Sequence, residues 1–322
     1  MNGGSTNGVL ATGVWLPRPR LDLTTIAAVA GQGGGKGQRT VASYDEDTTT
    51  MAVEAARRAT VDGLSPSVLW FATSAPAYAD RTNATAIHAA LGLDASAGAY
   101  DATGSVRAVM GAFRSAVHST EPALVVASDL RTGLPGSTDE AAGGDGAAAA
   151  LIGPATTERP ALAEVLAVAG HSAEFVDRWR APGEVRSKLW EERFGETNYV
   201  AAGQAAFAAA LAQSGLDGEG GGVDAIAVAG PHTKAVTVLT RQLGADRAVT
   251  VAGVGHTGAA HPLLLLAAWL DAAQPGHTLA LISLADGADV VVLRATEAVA
   301  GRTPQVAPAL AAGTPVTYGR YL

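Results

Sequence analysis

The chain has 322 residues, of which 48% are hydrophobic and 16% charged, with a formal net charge of −8 and a pI near 5.3. That is one large domain or two fused halves with ample material for a core, and without a basic stripe or Lys/Arg run nucleic acid is not an expected partner. Cysteine is absent, which excludes disulfides, cysteine metal sites and thiolate nucleophiles.

The start, Met1-Asn2-Gly3-Gly4-Ser5, lacks a charged region followed by an apolar one, so no signal peptide is expected. The longest apolar stretch, Pro262 to Leu270, is too short to span a bilayer. A cytoplasmic protein with no membrane partner is the expectation.

The first strand is predicted at Val9–Leu16, stopped by Pro17 and Pro19. Gly31–Gly37 is a loop without the strand-to-helix context of a nucleotide site. Asp45-Glu46-Asp47-Thr48 supplies N-terminal signals for a helix over Thr49–Thr60. Two similar series follow. The first is a strand at Val68–Thr73, a helix at Ala84–Leu91, a segment at Tyr100–Ser105, a helix at Val106–Val117 and strands at Leu124–Ser128 and Ala147–Ile152. The second is a strand at Ala225–Ala229, a helix at Lys234–Leu243, a segment at Val249–Gly255, a helix at Thr257–Ala272 and strands at Leu279–Ser283 and Asp289–Leu293. Matching order and spacing over consecutive elements point to duplication of one α/β unit. The expected product is two pseudo-twofold halves in five layers, with apolar helices buried between two sheets. The halves are 1–160 and 161–298, with a tail at 299–322. Glu164–Gly218, including helix-like Glu184–Phe194, reads as an exposed excursion followed by the first helix of the second half.

Several stretches resemble the thiolase superfamily, in particular its hydroxymethylglutaryl-CoA synthase-like and ketoacyl-acyl carrier protein synthase III-like members. They are Gly8–Leu21, Val41–Ala59 (VASYDEDTTTMAVEAARRA, the most specific), Phe71–Thr85, Gly143–Gly153, Gly230–Lys234 (GPHTK), Gly255–Pro262 (GHTGAAHP) and Asp271–Asp286. The resemblance implies the five-layered α/β fold, a homodimer, and acyl-CoA or acyl carrier protein as partner. Coenzyme A would enter as a thioester substrate, not as a tightly bound cofactor. The family's cysteine falls at Val106, its glutamate base at Ser74 and its asparagine at His256; only the histidine, His232, is kept.

The resemblance places Ser105, His232 and His256 on one pocket. Ser105 before a helix start is a candidate nucleophile activated by an imidazole, or simply a capping residue. His232 and His256 are candidates for base and oxyanion-stabilising roles. Ser74, Val106 and Arg107 would line the pocket. Arg107 would bind a substrate carboxylate or pair with Asp101. Lys234 would meet a coenzyme A phosphate or lie in solvent. His261 would face the same pocket or lie in the core, and Asp145 is expected to be a structural hydrogen-bonder. No acidic partner supports a metal at the histidines. The expected function is an acyltransferase or carbon–carbon bond enzyme with chemistry altered by the missing cysteine. The alternatives are a catalytically silent subunit scaffolding a complex with a zinc-ribbon/OB-fold partner, and a retro-aldolase on a CoA thioester. The proline-bearing tail, Gly301–Leu322, is either a docking segment for that accessory protein or a disordered end.

Overall fold

Two runs of strand and helix follow one plan in this computed structural model, which describes residues 7–61, 63–218 and 222–322. The first run is β1 (Asn7–Trp15), α1 (Thr48–Arg58), β2 (Val68–Thr73), α2 (Ala84–Leu91), β3 (Gly98–Thr103), α3 (Ala108–Val117), β4 (Ala123–Asp129) and β5 (Gly146–Pro154). The second is β6 (Ala163–Ser172), α4 (Glu192–Ser214), β7 (Ala225–Ala229), α5 (Thr233–Gly244), α6 (His261–Ala272), β8 (Thr278–Leu284) and β9 (Gly287–Ala295). The strand order is β7-β8-β9-β6-β1-β5-β4-β2-β3. It is palindromic about the β6–β1 junction, except that β3 has no counterpart strand.

The expected two sheets are joined into one ladder, by the pairs Gly8↔Glu164 and Val9↔Ala163. Val249–Gly255, which takes the place of β3 in the second half, forms no strand among the described residues; Ala248 just before it bridges Ile226, and Val249 N donates to the Ile226 carbonyl. Gly253 and Gly255 have φ of 77° and 80°, and a left-handed backbone cannot continue an extended ladder. The stretch expected to be an exposed excursion contains β6, which pairs with β9 along its length.

The layers follow from where apolar residues go. Both residue faces of β4 and β8 are buried, so their sequences are continuous apolar runs without alternation. Between the halves lie α3 and α6. Phe113, Leu263 and Leu266 pack there against Val125 and Ile152 from one half and Leu281 and Leu293 from the other. Outside, α1 and α2 cover Leu69, Phe71 and Val126, and α4 and α5 cover Ile226, Ile282 and Val290. The result is five layers: helices, sheet, helices, sheet, helices. α6 has almost no exposed residue, whereas α3 exposes Gly111, Arg114 and Ser115 in the single chain. Asp47 starts α1 through a reciprocal capping box with Thr50.

Glu184–Phe194 is not a helix. Lys188–Leu189 pairs antiparallel with Arg178–Trp179, and α4 starts only at Glu192. A Pro182-Gly183 turn, with Gly183 at φ 86°, reverses the chain between them. This hairpin lies beside the cleft described below. The tail is ordered against its own chain. Asp271 accepts from Arg302, Gln305 N and Val306 N. Thr314–Val316 pairs parallel with Pro19–Leu21, and buried Tyr318 donates to Glu140. No described helix is long and apolar enough to cross a membrane.

Candidate active site

Ser105 lies three residues before α3, at the turn after β3. Its hydroxyl donates to Asp286 Oδ2 over 2.7 Å and accepts from Arg107 N. Ser105 thus braces the turn that leads into α3, whose N-cap is Arg107, and a carboxylate is present beside it. Asp286 occupies the turn between β8 and β9 with φ of 48°, the only non-glycine residue at positive φ among the described residues. Such a conformation is sparsely populated and is held by its surroundings. Here they include Arg107, which donates to the Asp286 carbonyl. Arg107 itself pairs with Asp289 Oδ2 at 2.7 Å, not with Asp101. Asp101 instead accepts from the N–H groups of Asn83 and Ala84 at the start of α2.

Ser105 and Val106 open onto a cleft of about 720 Å³, together with Ser74, Arg131, Arg180 and Asp286. Ser74 donates to Asp129, whose buried carboxylate also accepts from Thr73 Oγ1, Ser74 N and Ala259 N. Asp129 thereby ties the β2 turn in one half to the start of the central helix in the other. Gly258 at φ 57° makes room for it, since a Cβ there would stand 1.9 Å from Asp129 Oδ2. Asp145 accepts from Arg131 N and Ala42 N and pairs with buried Arg39. Burial raises its pKa, against the neighbouring Arg39 charge.

The two histidines do not share this cleft. His232 lines a neighbouring cavity of about 450 Å³, and His256 a void of about 10 Å³. Pro231 borders all three spaces, and Arg178 borders both the cleft and the His232 cavity. Arg178 is held there by a two-pronged bond to Asp139, at 2.8 and 2.6 Å. Burial alone would raise the Asp139 pKa, but the Arg178 bonds and charge, then Arg131, hold it below the usual carboxylate range. Arg178 and Pro231 thus lie at the boundary between the cleft of Ser105 and the cavity of His232. Among the described residues, neither histidine is hydrogen-bonded to Ser105.

His232 caps α5. Its Nδ1 accepts from Ala235 N at 3.1 Å and its Nε2 contacts the Glu192 carbonyl at 2.9 Å, which fixes the proton on Nε2. Gly195 lets the ring approach α4, because a Cβ there would lie 2.8 Å from His232 Cδ2. His256 stacks near His261, with ring centroids 4.7 Å apart. Burial, then His261, lowers the His256 pKa well below its ordinary value, and burial lowers that of His261 to about 4. Both rings are neutral at pH 7. Lys234 faces Glu196 at 3.0 Å and Glu192 at 3.6 Å; these carboxylates raise its pKa.

Asp286, Arg131, Arg178 and Arg180 were not singled out by sequence. The Asp286-Gly287 dipeptide between two apolar runs is a hairpin signal, but its approach to Ser105 depends on how the halves meet. The arginines of the hairpin lie in a stretch whose strand pairing spans only two residue pairs. Among the described residues no group of His, Asp and Glu is arranged to hold a metal.

No family model matches the chain. It is 27% identical over 342 aligned positions to a hydroxymethylglutaryl-CoA synthase of Methanopyrus kandleri, covering 98% of this chain and 95% of the relative. It is 28% identical over 326 positions to that of Aeropyrum pernix, covering 94% and 89%. Among solved structures, a hydroxymethylglutaryl-CoA synthase complexed with CoA superposes with a TM-score of 0.82 at 15% identity, covering 98% of this chain and 89% of the other. The 3-oxoacyl-(acyl carrier protein) synthase III of Pseudomonas aeruginosa gives a TM-score of 0.76 at 21% identity, covering 90% and 98%. The five-layered fold, the GPHTK stretch and these likenesses agree: the chain is similar over nearly its whole length to hydroxymethylglutaryl-CoA synthases and shares their fold.

Proposed function

We propose that the chain is an acyltransferase acting on an acyl thioester of coenzyme A or acyl carrier protein, with Ser105 receiving the acyl group. The observation that carries this reading is the 2.7 Å bond from the Ser105 hydroxyl to Asp286 in an open cleft. Ser105 Oγ attacks the thioester carbonyl while its proton passes to the Asp286 carboxylate. The C–O bond forms, the C–S bond breaks, and Asp286 returns the proton to the departing thiolate. Transfer to an acceptor hydroxyl or amine reverses the proton movements. An oriented hydroxyl with an adjacent base is the usual requirement for such a nucleophile, and a thioester-to-oxyester exchange runs downhill. His232 and His256 take no part in this scheme. The similarity to hydroxymethylglutaryl-CoA synthases supports the thioester as substrate class, and the missing cysteine supports a changed chemistry. A homodimer belongs to the same reading, since β3 is an edge strand with one open side.

A second reading is favoured by His232, whose two ring nitrogens are both engaged in holding α4 to α5. In it the chain is a silent subunit that scaffolds a complex with a zinc-ribbon/OB-fold protein. Retro-aldol chemistry through His232 is the weaker option for the same reason. Incubation of the purified chain with acetyl-CoA separates these readings. An acyl adduct on the Ser105 peptide that is lost in Ser105→Ala supports the transferase; no adduct and no CoA release with any acyl-CoA supports the silent subunit.

A further inference from the structure

Tyr199 is a buried titratable residue of α4 that the acyl-transfer scheme leaves unused. Its ring meets Phe175 edge-on, with centroids 4.7 Å apart, and lies 5.8 Å from the His232 ring. Its hydroxyl donates to Oδ1 of buried Asp177 over 2.8 Å. Asp177 lines the His232 cavity and Tyr199 lines the cleft of Ser105 and Asp286, so the pair spans the two spaces. Burial, then the Asp177 charge, raises the Tyr199 pKa, and the Asp286 N–H points at its oxygen. A phenol that keeps its proton and commits it to a carboxylate offers only lone pairs elsewhere, which is what that N–H requires.

Asp286 is thereby held on both sides of its strained backbone. Its carbonyl accepts from Arg107, and its N–H meets Tyr199. A residue at φ of 48° stays in that conformation only where its neighbours impose it, and the direction of its side chain follows from the backbone. We propose that Tyr199, with its proton fixed by Asp177, is the positioning residue that aims the Asp286 carboxylate at Ser105. Its effect on the rate runs through Asp286. This role rests on the acyl-transfer reading above and extends it to a pair of residues behind the cleft.

The test is a double-mutant cycle on acylation by acetyl-CoA, read as CoA release, with Tyr199→Phe and Asp286→Asn singly and together. Phenylalanine keeps the ring on Phe175 and removes only the hydroxyl. Tyr199→Phe is expected to lower the maximal acylation rate about tenfold, the scale of one hydrogen bond. The acetyl-CoA concentration for half-maximal rate should stay within about twofold. In the Asp286→Asn background the same change should cost less than about twofold, since the base that it positions is gone. A general loosening of the fold would instead multiply with the Asp286→Asn loss, so a loss that persists in that background overturns the inference. A Tyr199→Phe chain that acylates at the wild-type rate also overturns it. Should Tyr199→Phe fail to fold, Asp177→Ala releases the phenol proton and enters the same cycle, with the same supporting and contrary results. Either contrary result in a chain that acylates Ser105 leaves the acyl-thioester reading standing. No acylation in the wild-type chain overturns that reading, and this role with it.

Discussion

The hydroxyl of Ser105 and the carboxylate of Asp286 meet at 2.7 Å although the residues are 181 positions apart. One stands at the mouth of the central helix of the first half, the other on the last hairpin of the second. Their contact joins the two halves, and it places a hydroxyl and a carboxylate together in the cleft. Asp286→Asn keeps the backbone conformation, since asparagine tolerates positive φ, but removes the base. Acylation is expected to slow by about 10²- to 10³-fold, followed as CoA release in a thiol assay, with little change in melting temperature.

His232 is predicted to be worth more to stability than to turnover. Loss of an N-cap acceptor costs about 1 kcal/mol. His232→Ala should therefore lower the urea midpoint while changing CoA release by no more than about threefold, a shift below 1 kcal/mol in barrier. A hundredfold loss of turnover would return His232 to the reaction.

Gly258 and Asp129 share one small space. Gly258→Ala sets a Cβ against the Asp129 carboxylate and strains a left-handed backbone. A loss of about 2 kcal/mol or more is expected from the two effects together. Urea unfolding measures it; an unchanged midpoint would show that the turn relaxes freely.

Acid should weaken the fold through the neutral histidines. The folded pKa of His261 lies near 4, below the ordinary value of 6.5, so between those values the unfolded chain binds a proton that the folded chain refuses. Stability is full above pH 6.5 and falls as pH drops towards 4, by up to about 3 kcal/mol for this group. His256 shifts in the same direction. Melting curves of His261→Gln should show a flatter decline over that window than those of the wild type.

Much of the fold was legible because its signals are local. Val68–Thr73, Ala84–Leu91 and Ala225–Ala229 end where the apolar runs end, and the repeat spacing foreshadowed the palindromic sheet. Two kinds of feature were not. The strand Ala163–Ser172 pairs with Gly287–Ala295 along its length, and its apolar run Val165–Ala169 is the only local sign of it in a stretch otherwise rich in charge. Val249–Gly255 has strand-like residues, but its glycines turn left-handed. At the site, Ser105, Ser74 and Val106 come to one cleft, as the motif positions suggested. His232 and His256 line separate spaces beside it, with Pro231 bordering all three and Arg178 shared by the cleft and the His232 cavity. Hairpin placement is a tertiary fact with no periodic trace, so Arg178 and Arg180 could not be read from spacing.

The most direct measurement is mass spectrometry of the chain after incubation with acetyl-CoA, followed by peptide mapping. One acetyl increment is expected, located on Ser105, slow to form in Asp286→Asn and absent in Ser105→Ala. Turnover of acetyl-CoA that persists in Ser105→Ala, or an adduct on any other residue, would contradict Ser105 as the residue that receives the acyl group.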